Sequence, residues 1–198
     1  MDKPAVTPYD IHPLLKKRWS PRAFTEKEVP KESLQRIFDA ARWAPSSFND
    51  QPWRFIVGIK GDKTWDMILE ALVEFNQKWA SLAPVLAISI GKKTSSKTGK
   101  PNAVFQYDVG QAVAHITFQV MQEGLFMHQM GGINKEKAAQ LFDVPEDYQV
   151  LTAFAIGHKG EPQLLEEDLA ESEKSARKRH EPQQLVFSGK FGSASDIF

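Results

Sequence analysis

The chain has 198 residues, 41% of them apolar and 25% charged, with Lys+Arg and Asp+Glu both at 25 and no cysteine. Zero net charge argues against a nucleic acid or an anionic membrane as partner, and the missing cysteines exclude disulfides, thiolate nucleophiles and Cys-ligated metals. No apolar stretch approaches ~18 residues and the N-terminus lacks a signal-peptide core, so a cytoplasmic protein without a membrane span is expected.

Residues 9–17 read as a short helix ending on a basic cluster, followed by Arg18-Trp19-Ser20-Pro21-Arg22-Ala23-Phe24. A helix should begin after Val29-Pro30, because proline suits a first turn. Its positions Leu34, Ile37, Phe38 and Ala41 form one apolar stripe. The stretch Ala44-Pro45-Ser46-Ser47-Phe48-Asn49-Asp50-Gln51-Pro52-Trp53 is longer and more polar than a plain helix-to-strand link. Its prolines fix φ and remove donors, leaving a stiff loop that presents hydroxyls and amides. Taken alone, such a loop reads equally well as a turn whose Ser and Asn side chains satisfy one another.

Residues 53–59 are β-branched and aromatic and read as a strand. Residues 63–80 return to helical spacing, and 84–90 are apolar enough for a strand covered on both faces. The polar segment 92–101, with four lysines, reads as a mobile loop and a lid; a solvated surface explains its lysines better than a phosphate patch does. From 105 to 128 runs a long segment without proline, apolar on more than one face, expected as one buried helix carrying both His115 and His128. Gly110, Ala112 and Ala114 would let a neighbouring backbone approach it, as a central helix or a dimer seam. A short helix over 135–142 and a third apolar strand over 150–157 follow. The last forty residues are first highly charged, then aromatic without period, as expected of an arm over 184–198 that lies on a partner subunit.

No histidine pairing suits a metal, and no G-x-S-x-G, G-x-G-x-x-G or P-loop signature is present. Three groups would nonetheless suit one ligand. Arg18, Ser20, Arg177 and Arg179 are phosphate-type donors. Ser46, Ser47, Asn49 and Gln51 offer groups that recognise a heteroaromatic edge. Met130-Gly131-Gly132 can bring backbone N–H groups against a ring with no side chain in the way. Phosphate donors and ring-edge donors together describe a mononucleotide site, without saying which mononucleotide.

The Arg18-to-Phe24 segment, the 44–53 loop, Asn76 before Ala83-Pro84, Gly124-Leu125 with Gly131-Gly132, and Arg177-Lys178-Arg179 occur in an order that resembles the flavin-dependent nitroreductase family. The resemblance spans nearly the whole chain. It implies a single α+β domain over residues 1–198, with a central mixed sheet wrapped by helices and a C-terminal arm exchanged in a homodimer. It further implies FMN bound at the subunit interface and NADH or NADPH as co-substrate. Hydride transfer would be ping-pong, through the flavin to a nitroaromatic, a quinone or a similar small electron-poor acceptor. Carried over residue by residue, Arg18, Ser20, Arg177 and Arg179 would hold phosphate and ribityl oxygens, with Trp19 beside them. Arg22 would face the ring's N1–O2 edge, and Asn76 would add a contact. Met130, Gly131 and Gly132 would flank N5, while Pro45, Ser46, Ser47, Asn49 and Gln51 would come from the other subunit. Trp19, Trp79 and the Gln129-Met130-Gly131 segment depart from residues common in the family. Related flavin enzymes that cleave flavin, dehalogenate or oxidise azolines, and a flavin-binding module without turnover, are the competing readings.

Overall fold

Four strands form the centre of the protein, whose structure, a computed structural model, describes residues 2–198. In chain order the elements are α1 (Pro13–Lys17), α2 (Lys31–Arg42), β1 (Trp53–Ile59), α3 (Lys63–Ala71), α4 (Glu74–Ala80), β2 (Val85–Lys92), α5 (Phe105–Gln122), β3 (Phe126–Met130), α6 (Lys135–Leu141), β4 (Tyr148–Gly157) and α7 (Glu167–Lys174). The strands lie in the order β1-β2-β4-β3. Every pairing is antiparallel, so the α+β class holds while the expected mixed sheet is an antiparallel one.

The sheet is covered on both faces. Val85, Ala87, Phe154 and Ile156 meet α2 and α5 on one side. Leu86, Ile88, Ile90, Ala153 and Ala155 meet α3, α4 and α7 on the other. That double cover explains why β2 is apolar at nearly every position, and each fully buried Ile or Leu contributes ~1.5–3 kcal/mol. Helices α2 and α5 run antiparallel. The Ser33 hydroxyl donates to Glu123 at 2.9 Å, and His115 Nδ1 lies 3.4 Å from the Ala40 carbonyl.

Three further expectations need correction. The first helix begins at Pro13 rather than residue 9, with the His12 ring accepting from the Leu14 N–H at 3.2 Å. The 63–80 helix is two helices, because Leu72 leaves the helical path to bridge Ile133 and the Val73 N–H donates to the Gly132 carbonyl at 3.1 Å. The third concerns the long helix, which stops at Gln122. Gly124 (φ 73°) takes the left-handed turn there; its N–H donates to the Met121 carbonyl at 3.2 Å and the Leu125 N–H to the Val120 carbonyl at 3.0 Å. That glycine-capped ending lets the chain reverse into β3, so His128 lies on a strand.

Candidate active site

The first pole of the site is built where the two ends of the chain meet. Arg18 is half-buried and donates to the Ser20 hydroxyl at 3.2 Å. Burial, then the charges of Arg177 and Arg179, push its guanidinium pKa down, which places three cations together. Arg177 donates to the carbonyls of Lys3 (2.9 Å) and Lys16 (3.1 Å), tying the segment after α7 to the N-terminus and α1. Among the described residues, none of the three arginines forms an ion pair. Nearby, Arg22 lies 5.9 Å from the centre of the Phe75 ring, and its Nε is buried without a partner. A buried donor without a partner is expensive, as are crowded like charges; an anionic, hydrogen-bonding ligand relieves both. Trp19 takes another part: its ring is buried against Phe126 and under the Lys3 ammonium, 4.5 Å from the ring centre. Its indole Nε1 is buried without a hydrogen-bond partner.

The second pole leaves the sheet at the end of β3. Met130 is buried, whereas Gly131 is exposed and a Cβ there would meet nothing within 4 Å. Gly132 differs, since a Cβ on it would sit 2.6 Å from Asn76 Nδ2. Asn76 is buried and donates that amide to the Gly132 carbonyl at 3.0 Å, which leaves its own carbonyl oxygen for another partner. His128 lies between the poles, its ring 4.4 Å from that of the buried Trp79. Its Nδ1 donates to the Pro21 carbonyl at 2.9 Å, since a carbonyl can only accept. Burial, helped by the charges of Arg22 and Arg18, drives its pKa down to about 4, so the ring is neutral.

The 44–53 loop forms the third group. Ser47–Asn49 make one turn of 3-10 helix, and Phe48, Asn49 and Gln51 all have positive φ. The Ser46 hydroxyl accepts from the Gln51 N–H at 3.0 Å, and the Gln51 amide donates to Asn49. Outside the loop, the buried Asp108 carboxylate accepts from the Ser47 N–H at 3.1 Å. The 92–101 segment is docked on it: the Ser96 N–H donates to Asp50 at 2.8 Å and the Lys97 ammonium to the Phe48 carbonyl at 2.6 Å. A cavity of about 350 Å³ lies between the two, lined by Ser47, Phe48, Ser95 and Lys97 among others. The expected lid is thus a second wall beside the first.

These groups do not converge within one chain. The loop feeds β1 at one edge of the sheet, while Gly131 leaves β3 at the other; three strand spacings, about 14 Å, separate them. Along α5 the loop sits at Asp108, and the segment entering α2 sits at Glu123, about 22 Å away at 1.5 Å per residue. The structure brings together Arg18, Ser20, Arg22, Arg177 and Arg179, and separately Asn76, Met130, Gly131 and Gly132. It does not bring Pro45, Ser46, Ser47, Asn49 or Gln51 to them.

Comparison with known proteins shows which family the chain belongs to. Residues 15–79, which hold the Arg18 segment, the 44–53 loop and Asn76, match the model of the nitroreductase family. A solved structure described as an oxidoreductase containing FMN superposes with a TM-score of 0.89 at 39% identity, covering 95% of this chain and 96% of that one. The chain belongs to the nitroreductase family. Membership makes it an oxidoreductase. Within reach of the family, a Mycolicibacterium smegmatis protein described as an uncharacterized 15.4 kDa protein is 28% identical over 71% of this chain and 98% of its own. A putative NADH dehydrogenase/NAD(P)H nitroreductase of Archaeoglobus fulgidus is 25% identical over 76% of this chain and 87% of its own.

Two residues of this candidate site escaped the sequence reading. Glu173 is one of many acids in a charged helix, and only its burial sets it apart. Asp108 could have been suspected as a lone acid on the apolar run of α5, where burial demands a donor.

Proposed function

We propose that this chain is an FMN-dependent oxidoreductase that draws on NADH or NADPH to reduce a small electron-poor acceptor, with each cofactor held between two copies of the chain. The observation that carries this reading is the set of Arg18, Arg177 and Arg179, crowded together without a carboxylate partner beside an orphaned Arg22 Nε. Guanidinium forks suit a phosphate, and the open space at Gly131 suits a flat ring. The residues fit the group.

Bound FMN would supply hydride relay between a reduced nicotinamide and an acceptor of the nitroaromatic or quinone kind. Arg18, Ser20, Arg177 and Arg179 hold its phosphate and ribityl oxygens, with the Trp19 backbone beside them. Arg22 sets a positive charge against the N1–O2 edge, and Asn76 offers its free carbonyl oxygen. Gly131 presents its N–H to N5, flanked by Met130 and Gly132. Pro45, Ser46, Ser47, Asn49 and Gln51 wall the ring from the second copy, which removes the distance that separates them within one chain.

An exposed apolar stripe on α5 supports the homodimer: Tyr107, Gly110, Ala114 and Phe118 share its outer face, near the exposed Phe48. Apolar patches of this kind are usually covered. Residues 184–198 act as the arm of the single 1–198 domain; Leu185, Phe191 and Ile197 stand exposed there, although the Phe191 ring meets Phe187 of the same arm and Phe198 meets Tyr9 edge-on. No helix among the described residues is long and apolar enough to cross a membrane, and a cytoplasmic setting agrees with the absence of cysteine.

Replacing Arg18→Ala together with Arg179→Ala tests the reading. Two charge-assisted bonds at ~1.5–3 kcal/mol each translate to a hundredfold or greater loss of FMN affinity, so the variant should purify colourless. A yellow variant with full FMN overturns the phosphate assignment.

A further inference from the structure

The cradle takes its cations from both ends of the chain, and something must hold those ends in register. Glu173, on α7, is 3% exposed. Its Oε1 accepts from the backbone N–H of Arg22 at 2.8 Å and of Ala23 at 3.2 Å. Its main-chain carbonyl accepts the Lys3 ammonium at 2.6 Å. Just past the end of α7, Arg177 reaches the carbonyls of Lys3 and Lys16. A carboxylate buried beside cations could have been spent on an ion pair with a guanidinium. Instead this one caps the backbone of the segment that carries Arg18, Ser20 and Arg22, leaving the guanidinium forks unneutralised.

Resting on the FMN reading above, we infer that Glu173 is a positioning residue for phosphate binding: its carboxylate latches the Arg22-Ala23 backbone to α7 and so sets Arg18 and Arg177 against the same anion. Hydrogen bonds from two N–H groups to one buried carboxylate oxygen are strong and geometrically exacting. Losing them frees both the segment entering α2 and the segment after α7 that carries Arg177 and Arg179. The role belongs to the oxygen acceptor. The negative charge itself opposes an anionic ligand, so an amide in its place should serve as well.

The experiment compares FMN with riboflavin, which lacks the phosphate, by flavin-fluorescence quenching on flavin-stripped protein. The variants are Glu173→Ala, Glu173→Gln and Arg18→Ala, with the melting temperature of each stripped protein measured in parallel. Glu173→Ala should weaken FMN ten- to a hundredfold while leaving riboflavin within about twofold, less than the full value of the two lost bonds because Glu173 acts on the phosphate only through the segments it positions. Glu173→Gln, which keeps an oxygen acceptor, should bind FMN at least as tightly as the unaltered protein. Equal loss of FMN and riboflavin in Glu173→Ala, or a Glu173→Gln variant as weak as Glu173→Ala, overturns the inference and leaves a structural role. If Arg18→Ala weakens FMN and Glu173→Ala does not, the inference fails while the cofactor reading stands. If Arg18→Ala leaves FMN affinity intact, the cofactor reading itself falls.

Discussion

The arginine cradle and the 44–53 loop are made in opposite ways. The cradle gathers residues from positions more than 150 apart in sequence, and it anchors them through buried and half-buried bonds to Glu173, Lys3 and Pro21. The loop is local: its side chains bond mainly to each other and to the adjacent 92–101 segment, and Phe48 and Gln51 face outward. A region whose donors remain unsatisfied inside its own chain is waiting for a ligand. A region that is satisfied at home, yet shows its apolar ring to solvent, is waiting for a surface. On the proposed two-copy reading, the difference teaches that one chain can prepare both halves of a site without being able to close it.

The strongest way to break this comparison is to divide the two halves between copies. One variant carries Arg18→Ala; the other carries Pro45→Glu and Gln51→Glu, at two exposed positions where carboxylates would meet the ring wall. Each homodimer should lack FMN and NAD(P)H oxidation. After mixing and subunit exchange, a mixed dimer has one site with both defects and one with neither, so activity should reappear at one site per mixed dimer. No recovery after verified exchange would mean that loop and cradle serve the same chain's cofactor.

A smaller effect separates the two regions by pH. His128 is buried in the cradle with its pKa lowered to about 4, against ~6.5 in an unfolded chain. Its neutral form is the one the fold favours, so the stability it supports is present above pH 6.5 and is lost as pH falls from there toward 4. The two-and-a-half-unit difference sets an upper limit of ~3.5 kcal/mol. In urea titrations of the flavin-stripped protein, His128→Gln should flatten the stability profile between pH 6.5 and 4. The remaining acid slope should lie lower, where Glu123, held down to about 2 by its bonds with Arg36, Gln119 and Ser33, is protonated. An unchanged slope in His128→Gln would show that the ring is charged or solvated in the folded chain.

Much of this architecture was legible in the residues, and the failures have physical causes. The stripe of α2, the doubly covered β2 and the family's motifs were read correctly, because burial on a known face imposes a period. Strand β3 was missed because Phe126-Met127-His128-Gln129-Met130 has no β-branched residue and continues the apolar run of α5. Gly124 was the available signal, as a left-handed helix cap. The break at Leu72-Val73 has no glycine or proline; it exists because the Gly132 carbonyl and Ile133 arrive from 60 residues away. The cradle residues were found by chemistry and grouped as one set of phosphate donors, but the contact that holds them together was not. The bond from Arg22 to Glu173 spans 151 positions, and no local pattern encodes it.

The finest test concerns Phe48, whose backbone (φ 53°, ψ 21°) is left-handed although its ring is 86% exposed. A side chain in that region costs ~1–2 kcal/mol, and an exposed ring returns little of it within its own chain. Glycine has no such penalty, but it adds ~0.5–1 kcal/mol of chain entropy to the unfolded state. The two nearly cancel, so Phe48→Gly should change the stability of dilute, flavin-stripped protein by no more than about 1 kcal/mol, in the stabilising direction. The Lys97 bond survives, because it goes to the backbone carbonyl. A loss above ~2 kcal/mol is what truncating a buried aromatic gives, and in urea titration it would mean that the ring packs at home. The loop would then be an ordinary turn, and the strain would serve its own chain instead of a second copy.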